Sequence, residues 1–180
     1  KLFSGCILRF GLASTYTRVI YPVLVRLGLM WAKGTLPPAQ EHFITHLLLR
    51  KISAAIDGLP VSGSKPSKWL LFLPENEFHE IGLLLANYVI RLSGCRVVYL
   101  GANVPNSSVI SAAKDISATH ALLFLVHGFD PEVTEKTLKD LRKGLHSTKL
   151  HVAGNSASIA RMKLGKDAHT LHSLVELQDM

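Results

Sequence analysis

Between Ser62 and Ser67 the hydrophobic pattern of this chain changes period, and that change restricts the fold more than any other feature. Upstream, apolar residues recur at three-and-four spacing, the mark of amphipathic helices. Downstream, short apolar runs alternate with helical stretches. The spacing predicts strands over 69–73, 96–100, 121–126, 150–153 and 168–171, with helices over 80–93, over 107–116 after an Asn106-Ser107 cap signal, and over 132–145. Alternation of this kind implies a parallel sheet covered by helices on both faces. The segment Ser62-Gly63-Ser64-Lys65-Pro66-Ser67 is small and polar, so residues 62–67 read as a linker between a helical part (1–61) and an α/β part (68–180).

The helical part predicts a helix over 2–10, a break at Gly11 with Ser14 as N-cap, and a longer helix over 16–31. Val19, Ile20, Val23, Leu24, Leu27 and Trp31 would form its buried face, with Pro22 kinking it or marking its start. Gly34 and Pro37-Pro38 end it. A third helix is expected over 38–57, with Phe43, Leu47, Leu48, Ile52, Ala55 and Ile56 on its apolar side and Glu41 and His42 in its first turns. After 156 there is room for one more helix, and for a terminal one from Ser173.

A composition of 48% hydrophobic and 18% charged residues is that of a globular chain, which excludes disorder. The first residue is Lys1, so a piece of a longer protein is expected. No secretory signal or membrane-spanning run is present, and a cytoplasmic location without membrane partners is the default. Cys6 and Cys95 lack metal-ligand spacing. The net charge of +7 is scattered. Its one local group, Lys136, Lys139, Arg142 and Lys143, is interleaved with Glu132, Glu135 and Asp140, as on a solvated helix face. Direct nucleic-acid binding by this segment is therefore not expected.

The chemistry-bearing stretch is Glu77-Phe78-His79-Glu80-Ile81-Gly82, which places an imidazole on a loop at the carboxyl end of the first strand. Open α/β sheets bind ligands there. Imidazole is a strong transition-metal ligand, and its second nitrogen usually donates to a carboxylate, here Glu77 or Glu75. Gly82 would admit a close ligand. Taken alone, the hexapeptide is more simply a helix cap or a local hydrogen bond. Trp31 is likewise most simply core, and Glu41 and His42 solvated, with Glu41 favoured by the helix dipole.

Read together, Trp31-x9-Glu41-His42 and Glu77-x-His79-x-x-Gly82 resemble the cobalamin-binding region of CarH/LitR-type, MerR-family light-dependent transcriptional regulators. Pro37-Pro38-Ala39-Gln40-Glu41-His42-Phe43 and Tyr99-Leu100-Gly101-Ala102-Asn103-Val104-Pro105 add to the resemblance. It implies a helical bundle followed by a Rossmann-like (flavodoxin-like) domain. The implied cofactor is adenosylcobalamin, with His79 as lower axial ligand to cobalt and the nucleotide tail in the sheet domain. Trp31 would cover the upper face, and Glu41 and His42 would contact the 5′-deoxyadenosyl group. Glu77, Gly82, Asn103, Val104, Gly128, Gly154, Asn155 and Ser156 complete the implied cofactor-binding set. A sensor of this type is not an enzyme, works as a homo-oligomer, and meets DNA only through an upstream domain.

The sequence departs from that family at three places. Ala32 stands where the photoreceptors carry a second histidine, for which His42 or His46 is the alternative. Val126-His127-Gly128 replaces a Ser-x-Leu motif, and Ala153-Gly154 a Gly-Gly motif. The competing reading is a corrinoid methyl carrier of a cobalamin-dependent methyltransferase. A nucleotide-binding module lacks its Gly-x-Gly-x-x-Gly loop, and a zinc site lacks a third ligand at helical spacing.

Overall fold

The computed structural model describes residues 2–35, 37–60, 63–126, 130–154, 159, 168–173 and 176–177, without the side chains of Phe3, Trp31 and Ala32. The chain divides into two compact units, Lys1–Gly58 and Leu59–Met180.

The first unit is helical: α1 (Leu2–Phe10), α2 (Leu12–Thr15), a π-helical turn (Tyr16–Ile20), α3 (Tyr21–Ala32) and α4 (Pro38–Asp57). The break falls at Gly11, whose φ of 75° suits glycine, and Gly11 rather than Ser14 is the residue that precedes α2. Pro22 lies in the first turn of α3, directly after the π turn. Proline has no N–H for the carbonyl four residues back. The wide turn meets that lack with the Tyr21 N–H reaching back to the Tyr16 carbonyl. It also shifts the helical phase, so the expected single buried face does not hold. Ile20 is buried, whereas Val19 and Val23 are exposed. Gly34 (φ 67°) closes α3, with Thr35 N–H donating to the Met30 carbonyl, the 6→1 bond of a Schellman motif. On α4 the buried stripe is Leu48, Ile52 and Ile56; Phe43 and Leu47, expected on it, are exposed.

The second unit alternates β1 (Lys68–Pro74), α5 (Glu80–Leu92), β2 (Arg96–Val104), α6 (Asn106–Asp115), β3 (His120–Leu125), α7 (Pro131–Gly144), β4 (Lys149–Gly154) and β5 (Ala168–Thr170). All described pairings are parallel, in the order β2-β1-β3-β4-β5. That is the flavodoxin-like order, and it switches direction between β1 and β3. Central strands buried on both sides explain the unbroken run Trp69-Leu70-Leu71-Phe72-Leu73. Leu70, Phe72, Leu123 and Val152 pack under α6 and α7 through Val109, Leu138 and Leu141. On the other face Leu71, Leu73 and Leu122 pack with Leu83, Ala86, Val89 and Ile90 of α5. Full burial of each such leucine or valine contributes about 1.5–3 kcal/mol.

The caps differ in detail from the sequence signals. Asp130 caps α7, its Oδ1 accepting from the Glu132 N–H at 2.8 Å, with Pro131 in the first turn. Pro105, not the Asn106-Ser107 pair, precedes α6, and no side chain caps that helix. Gly63 and Lys65 donate backbone hydrogen bonds to the Gly94 carbonyl at the turn between α5 and β2. The helices expected after 156 and from 173 fall largely outside the described residues. Among the described residues no helix is long and apolar enough to cross a membrane.

At the amino ends of the strands, Trp69, His120, His151 and His169 form a stacked row across β1, β3, β4 and β5. Ring centroids are 4.4 Å apart for Trp69 and His120, 5.4 Å for His120 and His151, and 5.5 Å for His151 and His169.

Candidate functional site: a histidine and carboxylate at the sheet's switch point

At the opposite, carboxyl ends of the strands, β1 leaves its ladder at Pro74 and α5 begins at Glu80. The five residues between form a tight loop whose Asn76 is left-handed (φ 67°) and whose Glu77 N–H donates to the Pro74 carbonyl. His79 is the N-cap residue of α5, yet its side chain makes no capping hydrogen bond. The cap reading of this histidine therefore fails. Its Nδ1 instead lies 2.5 Å from Oε1 of Glu77. The partner is Glu77 and not Glu75, which is exposed.

Glu77 is fully buried while the His79 side chain is 56% exposed, so a sequestered carboxylate holds an accessible imidazole. Glu77 Oε1 also accepts from the backbone N–H groups of Phe78 at 2.9 Å and His79 at 3.0 Å. Its Oε2 accepts from the Val126 N–H at 2.8 Å. Val126 directly follows β3, so the carboxylate spans the crevice between β1 and β3 where the strand order reverses. Ligands of open α/β sheets sit there. An ionised carboxylate can only accept, so Nδ1 carries the hydrogen and a metal would be taken through Nε2.

The surrounding residues are set by close packing. A Cβ on Gly82 would come 2.8 Å from the Phe124 ring. Contact of α5 with β3 thus accounts for the missing side chain, and the approach of a ligand is not needed to explain it. Gly154 (φ 139°) ends β4 opposite Leu125, and a Cβ there would overlap the Leu125 carbonyl. Asn103 and Val104 close β2; Val104 pairs with Pro74, and the Asn103 N–H donates to the Glu77 carbonyl at 3.1 Å. Gly128, Asn155 and Ser156 lie outside the described residues.

In the first unit, Glu41 and His42 stand in the first turns of α4 as expected. Glu41 Oε1 accepts from Thr45 Oγ1 at 2.9 Å, and the exposed His42 and His46 rings stack at 6.4 Å. Trp31 is in the last turn of α3; its side chain lies outside the described residues.

Two participants escaped the sequence reading. Val126 acts through its backbone, which no side-chain motif reveals. Tyr99 donates its hydroxyl to Glu80 Oε1 at 3.2 Å. Burial, with the Glu80 charge adding to it, pushes the Tyr99 pKa up, so the phenol keeps its proton. A pairing of β2 with the first turn of α5 is the only signal that would have found it.

No family model matches the chain. It is 32% identical over 130 residues to the HTH-type transcriptional repressor CarH of Myxococcus xanthus, covering 72% of this chain and 43% of that protein. It is 27% identical over 121 residues to the repressor CarA of the same organism, covering 67% of this chain and 40% of that one. The chain thus spans less than half the length of these curated relatives.

In fold it is similar to the Methanosarcina barkeri monomethylamine corrinoid protein, with a TM-score of 0.76, 18% identity and coverage of 99% of this chain and 86% of the other. A cobalamin-binding protein from Desulfitobacterium hafniense DCB-2 is similar at a TM-score of 0.54 and 22% identity, over 87% of this chain and 75% of that one. The chain is a relative of the CarH and CarA repressors, matched over one region of them.

Proposed function

We propose that this chain is the cobalamin-binding sensor region of a transcriptional regulator, with adenosylcobalamin as the cofactor. The observation that carries the proposal is the buried Glu77 holding Nδ1 of the exposed His79 at the β1/β3 switch point. A corrin brings four equatorial nitrogens of its own, so the protein needs to supply one axial donor. A single oriented imidazole fits that need. Among the described residues no group of three histidine, cysteine or acidic side chains converges for a bare metal ion.

In this reading His79 would hold cobalt through Nε2, and Glu77 would fix the tautomer and raise ligand basicity. Gly154 is assigned to the nucleotide tail, as are Gly128, Asn155 and Ser156 by the sequence resemblance alone. Residues 68–180 are the cofactor domain, 62–67 the linker and 1–61 the lid. Trp31 is assigned to the upper face, and Glu41 and His42 to the adenosyl group. When bound, adenosylcobalamin supplies a cobalt–carbon bond that visible light breaks. Loss of the adenosyl group would then change the lid and the contacts between copies, and DNA would be met through a domain outside this segment. Because Ala32 removes the family's second histidine, His42 or His46 is the candidate for the upper ligand after illumination.

Absorption spectra with adenosylcobalamin in darkness test the assignment. Wild type is expected to bind it with histidine ligation and His79→Ala to lose that ligation; identical spectra would remove His79 as ligand. Green illumination followed by mass measurement tests light sensing separately. An unchanged spectrum and mass would reject it while leaving cofactor binding in place.

The fold similarity to the monomethylamine corrinoid protein over nearly the whole chain favours a second reading, a corrinoid methyl carrier. Preference for methylcobalamin over adenosylcobalamin would select it.

A further inference from the structure

Strand β2 does not run straight beside β1. Leu71 faces Tyr99, but the next residue, Phe72, faces Gly101; Phe72 to Pro74 then spans Gly101 to Val104. One step of β1 is matched by two of β2, and two steps by three, so β2 carries two bulges beside the His79 loop. Each contains a left-handed residue, Gly101 at φ 83° and Asn103 at φ 56°. Bulges bend and twist a strand and re-aim its side chains, and they concentrate next to functional sites.

Here the re-aimed residue is Asn103. Its Oδ1 accepts from the Asn76 N–H at 2.9 Å, while its own N–H donates to the Glu77 carbonyl at 3.1 Å. The loop that carries His79 is therefore hung from one residue of β2 at two points, the Asn76 N–H just before Glu77 and the carbonyl of Glu77 itself. The other bulge serves the start of α5, directly after the loop. Gly101 leaves the space in which Glu80 Oε1 receives the Tyr99 hydroxyl, since a Cβ there would sit 3.1 Å from that oxygen. Asparagine suits position 103 because it is the common non-glycine residue that tolerates left-handed backbone, and it brings an acceptor that glycine lacks.

We propose that Asn103 is a positioning residue for His79: through the Asn76 N–H and the Glu77 carbonyl it sets the orientation of the imidazole and hence the strength of axial ligation. This rests on the reading of His79 as an axial ligand. It replaces direct cofactor contact as the role of the Asn103 side chain, whose oxygen is engaged by the loop.

The test is a downward pH titration of the full chain with adenosylcobalamin in darkness, following the histidine-ligated fraction by absorption. Three variants separate the two properties of the residue. N103D keeps the acceptor and tolerance of left-handed backbone, N103G keeps only the backbone freedom, and N103A keeps neither. N103G is expected to bind the corrinoid with histidine ligation weakened roughly three- to tenfold, releasing it at a higher pH than wild type, and N103A to release it at least as early. N103D, which keeps the acceptor, should retain the histidine-ligated spectrum of wild type at neutral pH. Thermal melting of the unloaded proteins reports folding separately, and N103G should melt close to wild type. An N103G titration superimposed on that of wild type overturns the proposal. If wild type itself gives no histidine-ligated spectrum, the axial reading fails and this proposal fails with it.

Discussion

The stacked row at the amino ends of the strands should make the α/β unit lose stability in mild acid, with His151 responsible. His151 is only 3% exposed, and among the described residues neither of its ring nitrogens has a hydrogen-bond partner. Burial, then the neighbouring His120, His169 and Lys149, lower its pKa from 6.5 to about 4. A base with a depressed native pKa binds fewer protons folded than unfolded in this window. Its contribution is complete above the unfolded pKa of 6.5 and is lost as pH falls towards about 4. Between pH 7 and pH 5 the loss amounts to about 2 kcal/mol, at 1.36 kcal/mol per pH unit once below the unfolded value.

Urea unfolding followed by circular dichroism at the two pH values measures it. With a slope of roughly 1–3 kcal/mol per molar, the wild-type midpoint should move by about 1 M. His151→Phe keeps a ring between His120 and His169 but cannot titrate. Its midpoint should fall less between the two pH values, by an amount corresponding to about 2 kcal/mol. His120, whose pKa is also lowered by burial, leaves a residual dependence. At pH 7 the variant should be at least as stable as wild type, because an unsatisfied buried polar group costs about 1–3 kcal/mol. If His151→Phe retains the full wild-type acid dependence, the reasoning from the unpartnered imidazole is refuted.

Two further substitutions test the site. In Glu77→Gln, one oxygen position faces the N–H groups of Phe78 and His79 and the Nδ1–H, and the other faces the Val126 N–H, so the amide NH2 meets a donor either way. Histidine ligation of cobalamin, read by absorption, should weaken roughly 10- to 100-fold. Gly154→Ala sets a Cβ against the Leu125 carbonyl at a φ of 139° and should destabilise the α/β unit by about 3 kcal/mol in urea unfolding.

Much of this was legible in the residues because the relevant signals are local. The unbroken apolar run from Trp69 to Leu73 and the alternation after it announce a parallel sheet, since strands buried on both faces can carry no polar stripe. His79 could be matched from spacing to a neighbouring carboxylate, Glu77 or Glu75, and the structure selects Glu77. Other local signals misled. Asn106 and Ser107 look like caps, yet Pro105 occupies the position before α6. Val19 and Val23 match a buried stripe until the π turn beside Pro22 shifts the phase.

The sequence by itself determined the two-part organisation, the parallel α/β class and the candidacy of Glu77 and His79, because apolar period and short-range donor spacing need no knowledge of distant neighbours. Only the tertiary structure decided what holds that dyad. Strand order brings the Val126 N–H to Glu77 across 49 residues, and two bulges bring Asn103 to Asn76 across 27. Backbone donors and strand register leave no side-chain signature, so these contacts come into being when the sheet closes around the loop.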